Sequence, residues 1–178
     1  MSNSTKPSNT DPAPVNPRDW VIGSPEAPVN LTLYCDFECP DCRTFYPELK
    51  ATLDEAEEIA VLVYRHLPLT DVHPYALDAA KTAEAAGKQG KFPEVYTALF
   101  ETEEKLTKEN LFAIAKSIGL NMDQFEKDFE ETAFDGVFDD VEGARKIGLG
   151  ATPTLFLNGT RYDGRFTYEA LSEAIADL

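Results

Sequence analysis

Polar and apolar positions alternate over Asn30 to Phe37 (NLTLYCDF). Leu31, Leu33, Cys35 and Phe37 share one face; Thr32, Tyr34 and Asp36 share the other. A period of two in a run of strand formers predicts a strand. Pro40 suits a first helical turn, and Phe45, Leu49, Leu53 and Ala56 recur at helical spacing after it. Ile59 to Tyr64 (IAVLVY) is continuously apolar and reads as a strand buried on both faces. Strand, helix and strand in close succession predict a βαβ unit with parallel strands.

Helical periodicity then takes over. Tyr75, Leu77, Ala80 and Ala83 follow a helix-opening Pro74 and end near Gly87. Phe92 to Phe100, Asn110 to Ile118, and Met122, Phe125 and Phe129 mark three more helices. Phe134, Val137, Phe138, Val141 and Ala144 mark a fifth. Thr154 to Leu157 returns to strand. Asn158-Gly159 is a strong hairpin signal, with Thr160 to Asp163 pairing back. Tyr168, Leu171, Ile175 and Leu178 close the chain as a helix. The order β-α-β, a helical block, then β-β-α predicts an α/β fold with one mixed sheet, since hairpin strands must be antiparallel.

Residues 1–19 are polar, with prolines at 7, 12, 14 and 17, and read as a disordered tail. Trp20, Val21 and Ile22 form the first cluster able to dock on a core. No basic region leads into an apolar stretch, so a secretory signal is not expected and a cytoplasmic location is. A processed export form or a fragment of a longer chain stays open.

The 178 residues carry 16 Lys and Arg against 32 Asp and Glu, a net charge of −16. That opposes nucleic-acid binding, which depends on cations meeting phosphates. No apolar run is long enough for membrane insertion. Asp123 to Glu142 is the densest acidic stretch, read by default as a solvated helical face.

All three cysteines fall within eight residues: Cys35, Cys39 and Cys42. Cys39-Pro40-Asp41-Cys42 straddles the junction of strand and helix. There the helix N-terminus favours a thiolate on Cys39, and Cys42 lies one turn inside. Cys39 is then the attacking sulfur and Cys42 the resolving one. A Cys-x-x-Cys beside a βαβ pattern reads as a thioredoxin-like redox motif that needs no bound cofactor. Three alternatives stand beside it. An iron–sulfur cluster would use Cys35, Cys39 and Cys42. A zinc site would add His66 or His73. Buried inert cysteines suit Cys35 best. The histidines otherwise read as capping or packing residues. Tyr34, Phe45 and Tyr46 read equally as core or as an apolar collar for substrate.

Phe37 to Cys42 (FECPDC), the long helical insertion and Ala151-Thr152-Pro153-Thr154 together resemble the DsbA-like thioredoxin-fold oxidoreductases. Arg65 to Thr70 (RHLPLT) with His73-Pro74 is similar to the DsbA-like domains that occur alone or fused to sodium/proton antiporters. The resemblance covers residues 19–178 and implies a thioredoxin domain at 20–178 with its insertion at about 71–148. It implies a cis Pro153 beside the cysteine pair, with Thr152 presenting backbone to a peptide. Pro40, Asp41, Thr152 and Pro153 are then substrate-binding residues, and Asp36 is a candidate for proton transfer. The implied partners are protein or peptide thiols and disulfides and an unidentified redox partner. A non-catalytic redox-responsive module is the alternative. Strongly oxidising members carry histidine where Asp41 stands. A carboxylate there disfavours the thiolate, so the couple is expected to be more reducing than DsbA's about −120 mV, towards thioredoxin's about −270 mV.

Overall fold

The computed structural model describes residues 11–178. The expected unit forms from β2 (Val29–Cys35), α1 (Pro40–Glu55) and β3 (Ala60–His66). β2 and β3 pair in parallel from Val29 with Ala60 to Cys35 with His66. β3 therefore runs two residues beyond the apolar stretch, carrying Arg65 and His66 into the sheet, while Ile59 stays exposed.

β4 (Thr154–Leu157) pairs antiparallel with β2 and turns into the short β5 (Thr160–Arg161). Asn158 and Gly159 have φ of 46° and 82° at that turn, as a two-residue hairpin requires. Trp20–Ile22 is β1, an edge strand antiparallel to β3, so this cluster pairs with the sheet as well as docking on the core. The strand order is β1-β3-β2-β4-β5.

Five helices form the insertion: α2 (Ala76–Gly87), α3 (Phe92–Glu101), α4 (Lys108–Ser117), α5 (Met122–Glu131) and α6 (Ala133–Lys146). Side chains of Thr107 and Asn121 cap α4 and α5, and Thr167 caps the final helix α7 (Tyr168–Ala176).

The main core joins Leu31, Leu33 and Leu155 to Phe45 and Leu49 of α1, Leu171 of α7 and the aromatics of the insertion. A smaller cluster of Tyr34, Leu67, Ala144 and Phe156 lies on the other face of the sheet, beneath α6. Both faces are thus covered, which explains why β2 is buried beyond its alternating pattern.

α6 faces differently from its apolar periodicity. Ala133, Val137 and Ala144 are buried, while Phe134 and Phe138 are about half exposed. The residue completing the inner face is Asp140, whose carboxylate accepts the His66 N–H at 2.8 Å. An apolar count cannot reveal this, because a polar residue sits inward to satisfy a backbone donor at the strand end. The acidic stretch is accordingly not all solvated: Asp128 and Asp140 both turn inward.

Of the expected tail, residues 1–10 lie outside the described residues. The segment that follows is tied to the body by Arg65. Its guanidinium donates to Ala13 O, Pro14 O, the Tyr34 hydroxyl and both carboxylate oxygens of Asp19. The Arg65 and Asp19 side chains are each only 3% exposed.

Two stability predictions follow from these buried charges. Asp19→Ala strands the Arg65 cation and should cost about 3–5 kcal/mol in urea unfolding, whereas Asp19→Leu with Arg65→Met should cost far less. Burial pushes the Asp140 carboxyl up to about 6, opposed by His66. The unfolded carboxyl titrates near about 3.9, so the native state binds the extra proton and loses stability as pH rises from there through 6. Asp140→Asn keeps an acceptor without the charge. It should stabilise the fold at pH 7.5 by on the order of 2 kcal/mol and change little at pH 4, read as paired melting curves.

Candidate active site

The site lies where β2 ends and α1 begins. Cys39 is the N-cap of α1 with extended φ and ψ of −63° and 124°, and Pro40 takes the first turn. The Cys39 N–H bonds Asp36 O at 3.2 Å. Its sulfur lies 3.5 Å from the carbonyl of Thr152, whose bond to Pro153 is cis. The structure thus brings Cys39, Cys42, Thr152 and Pro153 together from positions more than a hundred residues apart. Pro40 and Asp41 are exposed beside them, Pro153 is half-buried, and Cys39 itself is 5% exposed.

All three cysteines are free thiols and buried. Pairing with Cys42 and then burial push the Cys39 thiol above its ordinary value, while Thr152 and the Cys42 backbone N–H pull it down. The helix terminus therefore works against two opposing effects, rather than alone as expected. Burial chiefly, and then pairing with Cys35, push Cys42 up. That ordering fits an outer and an inner sulfur. Cys35 lies behind Cys42 in the main core. Among the described residues, no group of three Cys, His, Asp or Glu side chains is placed to hold a metal ion.

Asp36 is buried, and both its oxygens are engaged. One accepts the Glu38 N–H at 2.8 Å; the other accepts the Leu69 N–H at 2.9 Å and meets His73 Nδ1 at 2.8 Å. Asp36 thus ties the turn before Cys39 to the β3–α2 connection. Glu38 strengthens that tie through the Tyr75 N–H at 2.6 Å. His73, read from the sequence as a capping or packing residue, stands at the edge of this site. Asp36 raises its pKa against the lowering effect of burial, and the charges of Cys39 and Glu38 add to the rise. His66 does not join the site. It is buried among Phe37, Tyr64 and Phe92, with Nε2 3.2 Å from a Glu84 oxygen.

Arg43 is the residue that sequence reasoning missed. From the first turns of α1 it donates to Phe37 O, Leu99 O and Thr102 O, joining the motif helix to the end of α3. Its position four residues after Cys39 gives reach to such carbonyls, but only the fold supplies them. Phe45 and Tyr46 belong to the core, packed on Phe166 and Phe100, and Tyr34 is buried beneath α6; none forms an exposed collar.

The sequence profile of the family described as Thioredoxin matches residues 15–177. The chain is 42% identical over 164 residues to Na(+)/H(+) antiporter NhaA 1 of Salinispora arenicola, covering 91% of this chain and 25% of that protein. It is 37% identical to Na(+)/H(+) antiporter NhaA 1 of Mycolicibacterium gilvum, covering 91% and 27%. The chain therefore spans about a quarter of the length of these curated relatives. Among solved structures, a thioredoxin-like oxidoreductase from Silicibacter pomeroyi superposes with a TM-score of 0.82 at 27% identity, over 91% of this chain and 92% of that one. BdbD from Bacillus subtilis gives 0.81 at 20% identity, over 94% and 96%. Wolbachia pipientis alpha-DsbA1 gives 0.76 at 22%, over 92% of each chain. A mixed sheet interrupted by a helical insertion, a cysteine pair at a helix start facing a cis-proline loop, and a profile match over nearly the whole length agree: the chain belongs to the thioredoxin family and has the DsbA-like fold.

Proposed function

We propose that the protein is a thiol–disulfide oxidoreductase that exchanges dithiol and disulfide with protein cysteines through Cys39 and Cys42. The observation that carries this reading is the position of Cys39, at the N-cap of α1 and 3.5 Å from the Thr152 carbonyl of the proline loop. In the reducing direction the Cys39 thiolate attacks a substrate sulfur. The Cys39–substrate bond forms, the substrate S–S bond breaks, and the leaving sulfur takes a proton. Cys42 then loses its proton and attacks Cys39. The mixed disulfide breaks, leaving a reduced substrate and a Cys39–Cys42 disulfide, two electrons having moved to the substrate. A separate dithiol partner resets the pair. The backbone of Thr152 offers an edge on which an extended substrate can add as a strand.

The antiporter names of the relatives favour a second reading, a redox-responsive domain serving a transport protein. It predicts stable association with an antiporter and negligible turnover. Among the described residues no helix is long and apolar enough to cross a membrane, so a transporter would have to be supplied from beyond them.

Reduction of insulin disulfides should be lost in Cys39→Ser, and Cys42→Ser should accumulate mixed disulfides with substrate proteins. Equal turnover by wild type and Cys39→Ser would overturn the enzymatic reading. Titration against glutathione should place the couple below DsbA's about −120 mV, towards about −270 mV. Asp41→His should raise it, because Asp41 sits in the motif as an exposed anion and histidine reverses the sign of that influence.

A further inference from the structure

We propose that Cys35 is a second internal partner for Cys42, so that the disulfide of the oxidised centre passes between Cys39–Cys42 and Cys35–Cys42. This deepens the exchange reading above and rests on it for its role, though its chemistry is observable with no substrate.

The placement follows from the junction of strand and helix. β2 ends at Cys35, and α1 starts at Pro40. A helix that packs back on the strand it follows runs the opposite way, so the start of α1 lies over the end of β2. Leu31, Leu33 and Cys35 share the strand face that enters the main core. Cys42, Phe45, Tyr46 and Leu49 are buried on α1 and enter the same core. The last inward residue of the strand therefore meets the first inward residue of the helix, and these are Cys35 and Cys42. They are 2% and 1% exposed. The Cys42 thiol is in hydrogen-bond contact with those of Cys35 and Cys39 alike. Cys42 is thus the middle of three sulfurs, with Cys39 at the outer end against the Thr152 carbonyl.

A cysteine in a core is commonly a small apolar filler. What sets Cys35 apart is its neighbour, a sulfur that forms and breaks a disulfide in every exchange cycle. Burial keeps Cys35 from substrate, so its exchange runs through Cys42.

The step balances within the chain. In the oxidised protein Cys35 gives up its proton and its sulfur attacks the sulfur of Cys42. The Cys35–Cys42 bond forms, the Cys39–Cys42 bond breaks, and Cys39 leaves as a thiolate that takes up a proton. No electron enters or leaves, so no outside oxidant or reductant is needed. The product stores the oxidising equivalent in a buried disulfide, away from external thiols, with Cys39 free at the helix start. Return of the Cys39 sulfur to Cys42 restores the outer disulfide.

The test traps the inner form with iodoacetamide. Protein oxidised with glutathione disulfide, and then freed of it, is incubated natively with excess reagent. Remaining thiols are blocked with N-ethylmaleimide under denaturing conditions. Cleavage before aspartate separates the three cysteines, because Asp36 and Asp41 fall between them. Mass spectrometry should find Cys39 alkylated by iodoacetamide and Cys35 linked to Cys42. Alkylation is irreversible and draws the exchange over, so this form should become the major species with time. Its yield should not depend on protein concentration, because the exchange lies within one chain. Oxidised Cys35→Ser should leave Cys39 unlabelled, and equal labelling of Cys39 in that variant would overturn the proposal. A wild-type protein that keeps only the Cys39–Cys42 link, with Cys35 as its free thiol, would overturn it even if Cys35→Ser failed to fold. So would labelling that rises with protein concentration, which would mark exchange between chains. None of these measurements uses a protein substrate. Failure of insulin reduction would count against the oxidoreductase reading and leave a trapped inner disulfide standing; failure of the trap would leave insulin turnover standing.

Discussion

The buried carboxylate of Asp36 is the constraint around which the functional end of the molecule is arranged. Taking a carboxylate out of water costs several kcal/mol unless its lone pairs are filled, and here donors come from two separate segments. Glu38 supplies one from the turn leading into α1; Leu69 and His73 supply two from the connection leading into α2. Neither segment can move without uncovering the carboxylate. Cys39 is therefore fixed as the N-cap residue, with its sulfur against the Thr152 carbonyl. The helix does not place this sulfur by its own propensity, since no side chain caps it. The strand end places it.

A second layer of ties makes the insertion part of the site. Glu38 meets the start of α2, and Arg43 meets the end of α3. Both cross from the thioredoxin core to the helical block, and both satisfy backbone groups that helix ends leave open. Between them Phe37 packs on Tyr64, Tyr96 and Phe100. The apolar contact supplies most of the favourable burial. The charged contacts supply direction, because an aromatic cluster tolerates sliding and a bidentate or capping contact does not.

Much of this architecture was legible in the residues. Alternation gave β2, the unbroken apolar run gave β3, and Asn158-Gly159 gave the hairpin, because each signal is local. The placement of Cys39 and Cys42 at a strand-to-helix junction was legible because pattern alone can place such a junction. What escaped reading was long-range and polar. Trp20–Ile22 is too short to announce itself as a strand, and its pairing with β3 depends on partners 40 to 44 residues away. Asp140 broke the apolar face of α6 because a backbone N–H of β3 needed an acceptor there. Arg65, Asp19, Arg43 and His73 look like ordinary polar residues until the fold supplies their partners. Asp36 fell between the two kinds. Its place at the strand end was readable, but not the contacts that fill its oxygens.

Charge at the site is then a matter of geometry more than of count. The chain carries a surplus of sixteen negative charges, and the motif itself holds an acid. A tally of signs near Cys39 would give a sulfur reluctant to ionise. Yet Asp41 is exposed, where water and salt weaken its reach. His73 is mostly buried, and its negative partner Asp36 is occupied by backbone donors. The Asp36–His73 pair is neutral overall when the imidazole is charged, so it acts as a dipole rather than a free charge. A dipole falls off faster with distance than a charge, so its influence is confined to its immediate neighbours. Those neighbours are the Glu38 and Leu69 backbone groups that donate to the same carboxylate. What holds the Cys39 thiol up is accordingly its pairing with Cys42 and its burial, not the acidic surplus of the chain.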